Sequence, residues 1–197
     1  MDTLTFKPED HSYWLAGRKL PGVTETINRI APHRPVDEWF LQRGSAVHAA
    51  IPLALADELD WESVDERITG RVNSVLKFLK DTRLTPITLE KSLVSTRYQF
   101  AGTLDFFGED EEGNRILADW KGSLCHQVEP QIGAYSLLCQ ETGGLPDRAV
   151  AVETHDNGTY RCRWFDKRSI RLAQQTFLAF LTTRNWLETH KFKTPTL

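Results

Sequence analysis

Two aspartates, a lysine and a histidine are spaced along this chain so that they could share one reactive site. Asp119 and Lys121 flank Trp120, Asp105 closes a Gly-Thr-Leu-Asp run at 102–105, and His48 lies upstream. Carboxylate oxygens suit Mg²⁺ and Mn²⁺, and an imidazole nitrogen would favour Mn²⁺. With the backbone carbonyl of Trp120 as an extra ligand, these groups predict a divalent-metal site that could activate water against a phosphodiester.

The secondary structure around these residues would bring the aspartates and the lysine together. Side chains alternate across a strand, so Asp119 and Lys121 point to one face while Trp120 points to the other. Asp105 lies near the end of the preceding strand of a hairpin, whose acidic turn spans 108–114. The Lys121 ammonium could then orient the attacking water or neutralise the charge that develops on phosphorus.

Polar residues on neighbouring elements supply further candidates. Gln131 and Tyr135 are four residues apart and share a helix face, where the amide and the phenol could bind a phosphate or a base. Ser123 follows the strand of the two charged residues, Glu90 lies on the first strand as an additional ligand, and Arg43 belongs to an upstream basic group. Each residue alone would fit a surface ion pair or a solvated face, so the hypothesis rests on their combination.

The hydrophobic pattern predicts helices and strands in an order typical of an α/β protein. A hairpin and a short helix in 1–35 are appended to the core of a single domain that spans 1–197. Helices are predicted at 36–58, 64–80, 129–142 and 170–188, and strands at 87–96, 100–107, 115–121, 149–154 and 160–165. Pro52 is expected to kink or interrupt the first long helix. We therefore expect a three-layer α/β sandwich with a central mixed β-sheet flanked by helices.

Composition narrows the class of protein without fixing its ligand. The chain has 197 residues and a net charge of -3, so no overall basic balance points to nucleic acid, although a local groove could still bind it. Its three cysteines are fewer than the four that an ordinary iron–sulfur cluster needs, so no iron–sulfur cluster is expected. No run reaches the length of a transmembrane helix, and we expect a cytoplasmic protein without membrane association.

As an ensemble, the motifs resemble the PD-(D/E)xK nuclease superfamily and, within it, the RecB-like exonuclease branch. The shared order is a histidine on a helix, G-x-x-D, D-x-K on the next strand and Q-x-x-x-Y on a following helix, within roughly 36–165. The resemblance implies a restriction-endonuclease-like core. It implies His48, Asp105, Asp119 and the Trp120 carbonyl as metal ligands, Lys121 as catalytic lysine, and Gln131 with Tyr135 on the substrate side.

The same resemblance implies a DNA exonuclease that uses Mg²⁺ or Mn²⁺ in recombination, repair or phage DNA processing, in the host cytoplasm if a phage encodes it. No helicase portion accompanies the motifs, so translocation would come from a partner, such as a single-strand annealing or recombination protein, or from homo-oligomerisation. Basic residues between Arg161 and Arg171 are candidates for contacts with the DNA backbone, and Trp14, Trp39 and Tyr98 for stacking on bases.

Three alternatives stay open from the sequence alone. The first is a structure-selective or sequence-selective endonuclease of the same fold. The second is a catalytically inactive DNA-binding or regulatory protein, against which the complete set of Asp105, Asp119 and Lys121 argues. The third is a metal-free protein in which these charges form surface pairs.

Overall fold

The structure is a computed structural model that describes residues 3–33 and 37–192. The strands are β1 (Leu4–Lys7), β2 (Ser12–Leu15), β3 (Arg18–Leu20), β4 (Thr85–Ser95), β5 (Phe100–Glu109), β6 (Arg115–Lys121), β7 (Arg148–Thr154) and β8 (Tyr160–Phe165). The helices are α1 (Val23–Ile30), α2 (Glu38–Leu55), α3 (Glu66–Thr82), α4 (Val128–Thr142) and α5 (Lys167–Thr189). None of these helices is long and apolar enough to cross a membrane.

The main sheet is mixed and has five strands in the order β4-β5-β6-β7-β8. Neighbouring strands run antiparallel except β6 and β7, which are parallel and are joined through α4. Parallel neighbours need a crossover connection, and a helix on one face of the sheet supplies it. The site residues on β6 therefore lie in the centre of the sheet, next to the helix that carries Gln131 and Tyr135.

Helices cover both faces of this sheet, and alternate residues of β6 contribute to the two cores. Leu117 packs into a buried cluster with side chains of α4 and α5, such as Ile132 and Phe177. Its neighbour Ile116 packs into a second cluster with side chains of α2 and α3, such as Val72. The predicted three-layer sandwich around a mixed sheet is confirmed.

A second, three-stranded sheet of β1, β2 and β3 lies against the amino-terminal half of β5. Tyr13 and Leu20 are buried with Ala101, whose backbone N–H donates to the carbonyl of Pro21 at 3.0 Å. The sequence predicts only a two-stranded hairpin in this segment. A tight turn at Ala16 and Gly17, both at positive φ, adds the strand Arg18–Leu20 that the prediction missed.

Helix α2 ends at Leu55, three residues before its predicted end at 58. The expected start at Val36 lies outside the described residues. The interruption expected at Pro52 does not occur, because the helix continues to Leu55 and the Ala56 N–H bonds to the Pro52 carbonyl at 3.0 Å. Proline only removes the N–H that would have bonded to the carbonyl of His48.

Candidate metal centre

Asp105 lies where the regular geometry of β5 breaks. The pairs between β5 and β6 end at Phe106 and Ala118, one residue away from Asp105. Leu104 packs into the core of α4 and α5, whereas Phe106 packs into the opposite core, although residues two apart on a regular strand share a face. The backbone N–H of Trp120 donates to Asp105 Oδ2 at 2.7 Å and holds the buried carboxylate beside β6.

His48 and Glu90 converge on the same carboxylate. The Nδ1 atom of His48 lies 3.1 Å from Glu90 Oε1 and 3.4 Å from Asp105 Oδ1. Each of the three residues offers a ligand atom within 4.8 Å of the others. Glu90 has a φ of 43°, in the left-handed region that costs a side-chain-bearing residue about 1–2 kcal/mol. Such strain concentrates at functional sites, where the surrounding structure enforces it.

Buried Asp119 forms an ion pair with the half-buried Lys121 on the neighbouring strand. Asp119 is 0% exposed, and Lys121 Nζ lies 2.7 Å from its Oδ2. The contact is ionic but lacks hydrogen-bond geometry, and within the described residues neither carboxylate oxygen has a hydrogen-bond partner. A buried carboxylate without such partners is costly, so Asp119 retains acceptor capacity for a further cation.

The charges of the site act strongly on one another. Burial, reinforced by Asp105, raises the pKa of Asp119 to about 7. Burial opposes charging of His48, but the carboxylates of Asp105 and Glu90 outweigh it and raise the pKa of His48 to about 10. Burial likewise disfavours the Lys121 ammonium, yet Asp119 and Asp105 raise the pKa of Lys121. The cluster therefore stabilises positive charge, and a divalent cation would compete with the proton on His48.

Helix α4 closes the site on the side of Asp119. The amide of Gln131 donates to the Tyr135 hydroxyl at 3.0 Å. Burial, followed by the charges of Asp119 and Asp105, holds the pKa of Tyr135 well above its usual value, so the phenol stays neutral. Gly102 permits this packing, because a Cβ there would lie 2.7 Å from Val23 Cγ2 and 3.1 Å from Tyr135 Cε1.

The other predicted residues lie on or directly after elements that carry the cluster and its neighbours. Ser123 is exposed in the segment between β6 and α4. The Trp120 side chain is buried on the face of α2 and α3, and the role of its carbonyl as a ligand stays a prediction. Arg43 lies on α2, with Nη1 3.5 Å from Asp156 Oδ1.

The basic residues expected to contact DNA are offset by acidic neighbours. Three ion pairs join Arg161 to Glu153, Arg163 to Glu129 and Lys167 to Asp147. A charge that is already paired contributes less to phosphate binding, because the pair must open before the cation is available. Three of the five basic residues in this segment therefore lie in ion pairs, which leaves Arg168 and Arg171 as the better candidates for contacts with phosphate.

Sequence reasoning missed Arg71, which supports the end of β6 from α3. Its Nη1 donates to the carbonyl of Thr154 at 2.8 Å and contacts that of Gly122 at 3.5 Å. Gly122 directly follows Lys121, and Thr154 Oγ1 donates to the Lys121 carbonyl at 3.1 Å. No spacing signal could have found this contact, because α3 carries no motif and reaches β6 only in the folded chain.

No family model matches the sequence, and no curated protein matches it. Among solved structures, LHK-Exo in complex with dAMP shares 14% identity over 87% of this chain and 91% of its own, with a TM-score of 0.44. The alkaline exonuclease LHK-Exo from Laribacter hongkongensis shares 12% identity over 86% and 91%, with a TM-score of 0.40. The protein SSO0001 shares 13% identity over 80% and 84%, with a TM-score of 0.33. Function is therefore inferred from the residues of the site.

These residues fit a divalent metal ion in chemistry and in arrangement. His48, Glu90 and Asp105 offer one nitrogen and two carboxylates at a common point, a donor set that suits Mn²⁺ and accommodates Mg²⁺. Asp119 adds buried oxygens that lack hydrogen-bond partners among the described residues. A cation held here would neutralise acidic groups that are otherwise crowded and desolvated.

Proposed function

We propose that this protein is a divalent-metal-dependent deoxyribonuclease that hydrolyses phosphodiester bonds. The observation that carries the proposal is the convergence of His48, Glu90 and Asp105 beside the ion pair of buried Asp119 and half-buried Lys121. A metal-ligand cluster next to a desolvated ammonium supplies two kinds of positive charge at one place, as phosphodiester hydrolysis requires. The motif order, which resembles that of PD-(D/E)xK nucleases, supports the same conclusion.

The residues of the site divide between holding the ion and handling the phosphate. A bound Mg²⁺ or Mn²⁺ supplies Lewis-acid stabilisation and activates water. Lys121, held by Asp119 at 2.7 Å, places a fixed ammonium where it stabilises the negative charge that develops on phosphorus. Gln131 and the neutral hydroxyl of Tyr135 offer hydrogen bonds from α4 to a phosphate oxygen.

We assign the activity to DNA ends, in recombination, repair or phage DNA processing, as the resemblance to the RecB-like branch implies. Movement along DNA would come from a protein partner or from a homo-oligomer. An endonuclease of the same fold is the nearest alternative, and it differs in cutting circles that have no ends. An inactive DNA-binding protein is the other alternative.

The test is digestion of end-labelled linear DNA beside a covalently closed plasmid, in Mn²⁺, Mg²⁺ or EDTA. Wild type is compared with Lys121→Ala and with Lys77→Ala as a matched control. The Lys77 ammonium pairs with Asp81 at 2.7 Å on the exposed surface of α3. Removing it deletes one lysine without touching the metal centre.

We expect wild type and Lys77→Ala to degrade linear DNA only, and only with metal, while Lys121→Ala leaves it intact. Cutting of the plasmid would instead favour the endonuclease. Equal digestion by all three proteins would contradict the assignment of Lys121. Retained DNA binding without digestion in any metal would favour the inactive binding protein.

A further inference from the structure

Helix α2 presents aromatic rings and a guanidinium on its surface, five to nine residues before His48. The rings of Trp39 and Phe40 meet edge to face with centroids 4.9 Å apart. The guanidinium carbon of Arg43 lies 4.6 Å from the Trp39 ring centroid and 5.0 Å from that of Phe40. Phe40 is 48% exposed. We call these three residues the aromatic ledge.

Arg43 and Arg71 together carry more positive charge than their neighbours offset. Both contact the same carboxylate oxygen of Asp156, at 3.5 Å and 2.6 Å. The arginine side chains are only 13% and 12% exposed, whereas that of Asp156 is 64% exposed. Two desolvated guanidiniums that share one solvated carboxylate can accept a second anion, and a backbone phosphate matches their planar donors.

The position of this arginine pair connects the ledge to the proposed chemistry. Arg71 reaches the carbonyl of Gly122, the residue after Lys121. Arg43 precedes His48 by five residues on α2, which corresponds to about 7.5 Å along the helix axis. Because both arginines contact Asp156, the pair lies beside the end of β6 that carries Lys121.

We propose that the aromatic ledge and the Arg43–Arg71 pair bind unpaired nucleotides of a DNA strand beside the cleaved bond. A base stacks on Trp39 or Phe40, and the two guanidiniums bind a backbone phosphate. Stacking on a side chain needs a free base face, which an unpaired strand offers and a duplex interior does not. The inference rests on the proposed nuclease function, from which it takes DNA as the substrate. It adds that the bound strand carries unpaired nucleotides.

The test measures binding in EDTA, where neither metal nor turnover contributes. Fluorescence anisotropy gives the Kd of wild type for a labelled oligothymidylate and for a blunt duplex of equal length. The variants are Trp39→Ala, the conservative Trp39→Phe and the matched control Trp186→Ala. Trp186 is 50% exposed and stacks on His190 at 4.7 Å, so the control removes a tryptophan on α5 that is more exposed than Trp39.

Loss of one base–aromatic stack should raise the single-strand Kd of Trp39→Ala about fivefold or more. Trp39→Phe should retain most of the affinity, which excludes a folding defect, and Trp186→Ala should bind like wild type. The duplex Kd should change less than the single-strand Kd. Arg43→Ala should also weaken single-strand binding and reduce its dependence on salt.

Three results would overturn the inference: wild-type affinity in Trp39→Ala, an equal loss for duplex and single strand, or no binding of the oligothymidylate by wild type. Digestion is scored separately from binding. If Trp39→Ala weakens binding but wild type does not digest DNA, the nuclease proposal fails and the aromatic ledge remains a binding site. If wild type digests DNA but Trp39→Ala binds as tightly as wild type, only the inference about the aromatic ledge fails.

Discussion

Asp119 is the residue at which stability and chemistry oppose each other. Its pKa is raised to about 7 by burial, whereas an aspartate in the unfolded chain titrates near pH 3.9. Between these values the native state holds a proton that the unfolded state has released, so the free energy of unfolding falls as pH rises. Asp119→Asn removes this titration and should gain stability over wild type, in EDTA, from about pH 4 to pH 7.

Urea unfolding across this pH range measures the free energy of unfolding of Asp119→Asn and of wild type. Asp147→Asn is a control, because its effect on the pH dependence of stability should have the opposite sign. Hydrogen bonding to Lys167 lowers the pKa of Asp147, so its stabilising contribution is present at neutral pH and lost as pH falls. Parallel pH profiles for Asp119→Asn and wild type would contradict the burial argument.

The same Asp119→Asn substitution should cost almost all cleavage. It removes the carboxylate that contacts Lys121 and that we propose as a metal ligand, and losses of one electrostatic group in such sites reach about 10²–10³-fold. Initial rates of linear DNA digestion in Mg²⁺ and Mn²⁺ measure the effect. A more stable and fully active Asp119→Asn protein would show that this carboxylate is not needed for cleavage.

His48 should report metal binding through its proton. Because its pKa is raised to about 10, the imidazole is protonated in the metal-free protein at neutral pH and must lose that proton to bind a metal. Calorimetry in buffers of different ionisation enthalpy should show a proton released on Mn²⁺ binding. His48→Asn should reduce the release and shift the metal preference away from Mn²⁺.

His155→Asn is the matched control for this experiment, because His155 bonds to Thr159 near the surface rather than to the cluster. It should release the same number of protons as wild type. Unchanged proton release in His48→Asn would place the imidazole outside the metal's ligands.

At the scale of elements, helix packing should decide whether replacing a glycine by alanine stabilises or destabilises the protein. A Cβ on Gly133 of α4 would lie 2.1 Å from the carbonyl oxygen of Ala173 on α5, a backbone atom that cannot rotate away. A Cβ on Gly44 of α2 would meet no atom of the described chain within 4 Å. Gly133→Ala should therefore destabilise by about 1–3 kcal/mol, whereas Gly44→Ala should stabilise by up to about 1 kcal/mol.

Denaturant midpoints of the two variants, with unchanged m-values, test this prediction. Equal changes in stability at Gly133 and Gly44 would mean that helix propensity alone determines the effect of the substitution. They would also mean that α4 and α5 do not pack as closely as the structure shows. Far-UV circular dichroism guards against a loss of helix in either variant.

The local hydrophobic pattern predicted most helices and strands because it indicates which face of each segment is buried. The bounds of β6 and β8 agree with the structure, and alternate residues of β6 pack into the two cores. Two features differ from the local pattern: the uninterrupted course of α2 and the additional strand β3. Helix α2 runs through Pro52, and β3 forms because Leu20 finds a buried place against Ala101. The close approach at Gly133 depends on α5, which no local pattern encodes.

At the scale of the molecule, the order of the motifs predicted which residues come together in the fold. It did not predict which of them contact one another directly. Asp119 and Lys121 share a strand, so their contact follows from spacing. Glu90 joins His48 and Asp105 only because three separate elements converge at the irregular point of β5. Side-chain periodicity describes one element at a time, so contacts among several elements lie beyond it.

The balance of ion pairs over the whole surface predicts how DNA binding depends on salt. Arg161 and Arg163 are paired with Glu153 and Glu129, so their joint replacement by alanine should barely change the slope of log Kd against log salt for duplex DNA. Removal of one side chain that neutralises a phosphate would change that slope by about 0.9. A change approaching two would mean that both ion pairs open to bind DNA, and that the basic segment rather than the arginines near the metal centre orients the duplex.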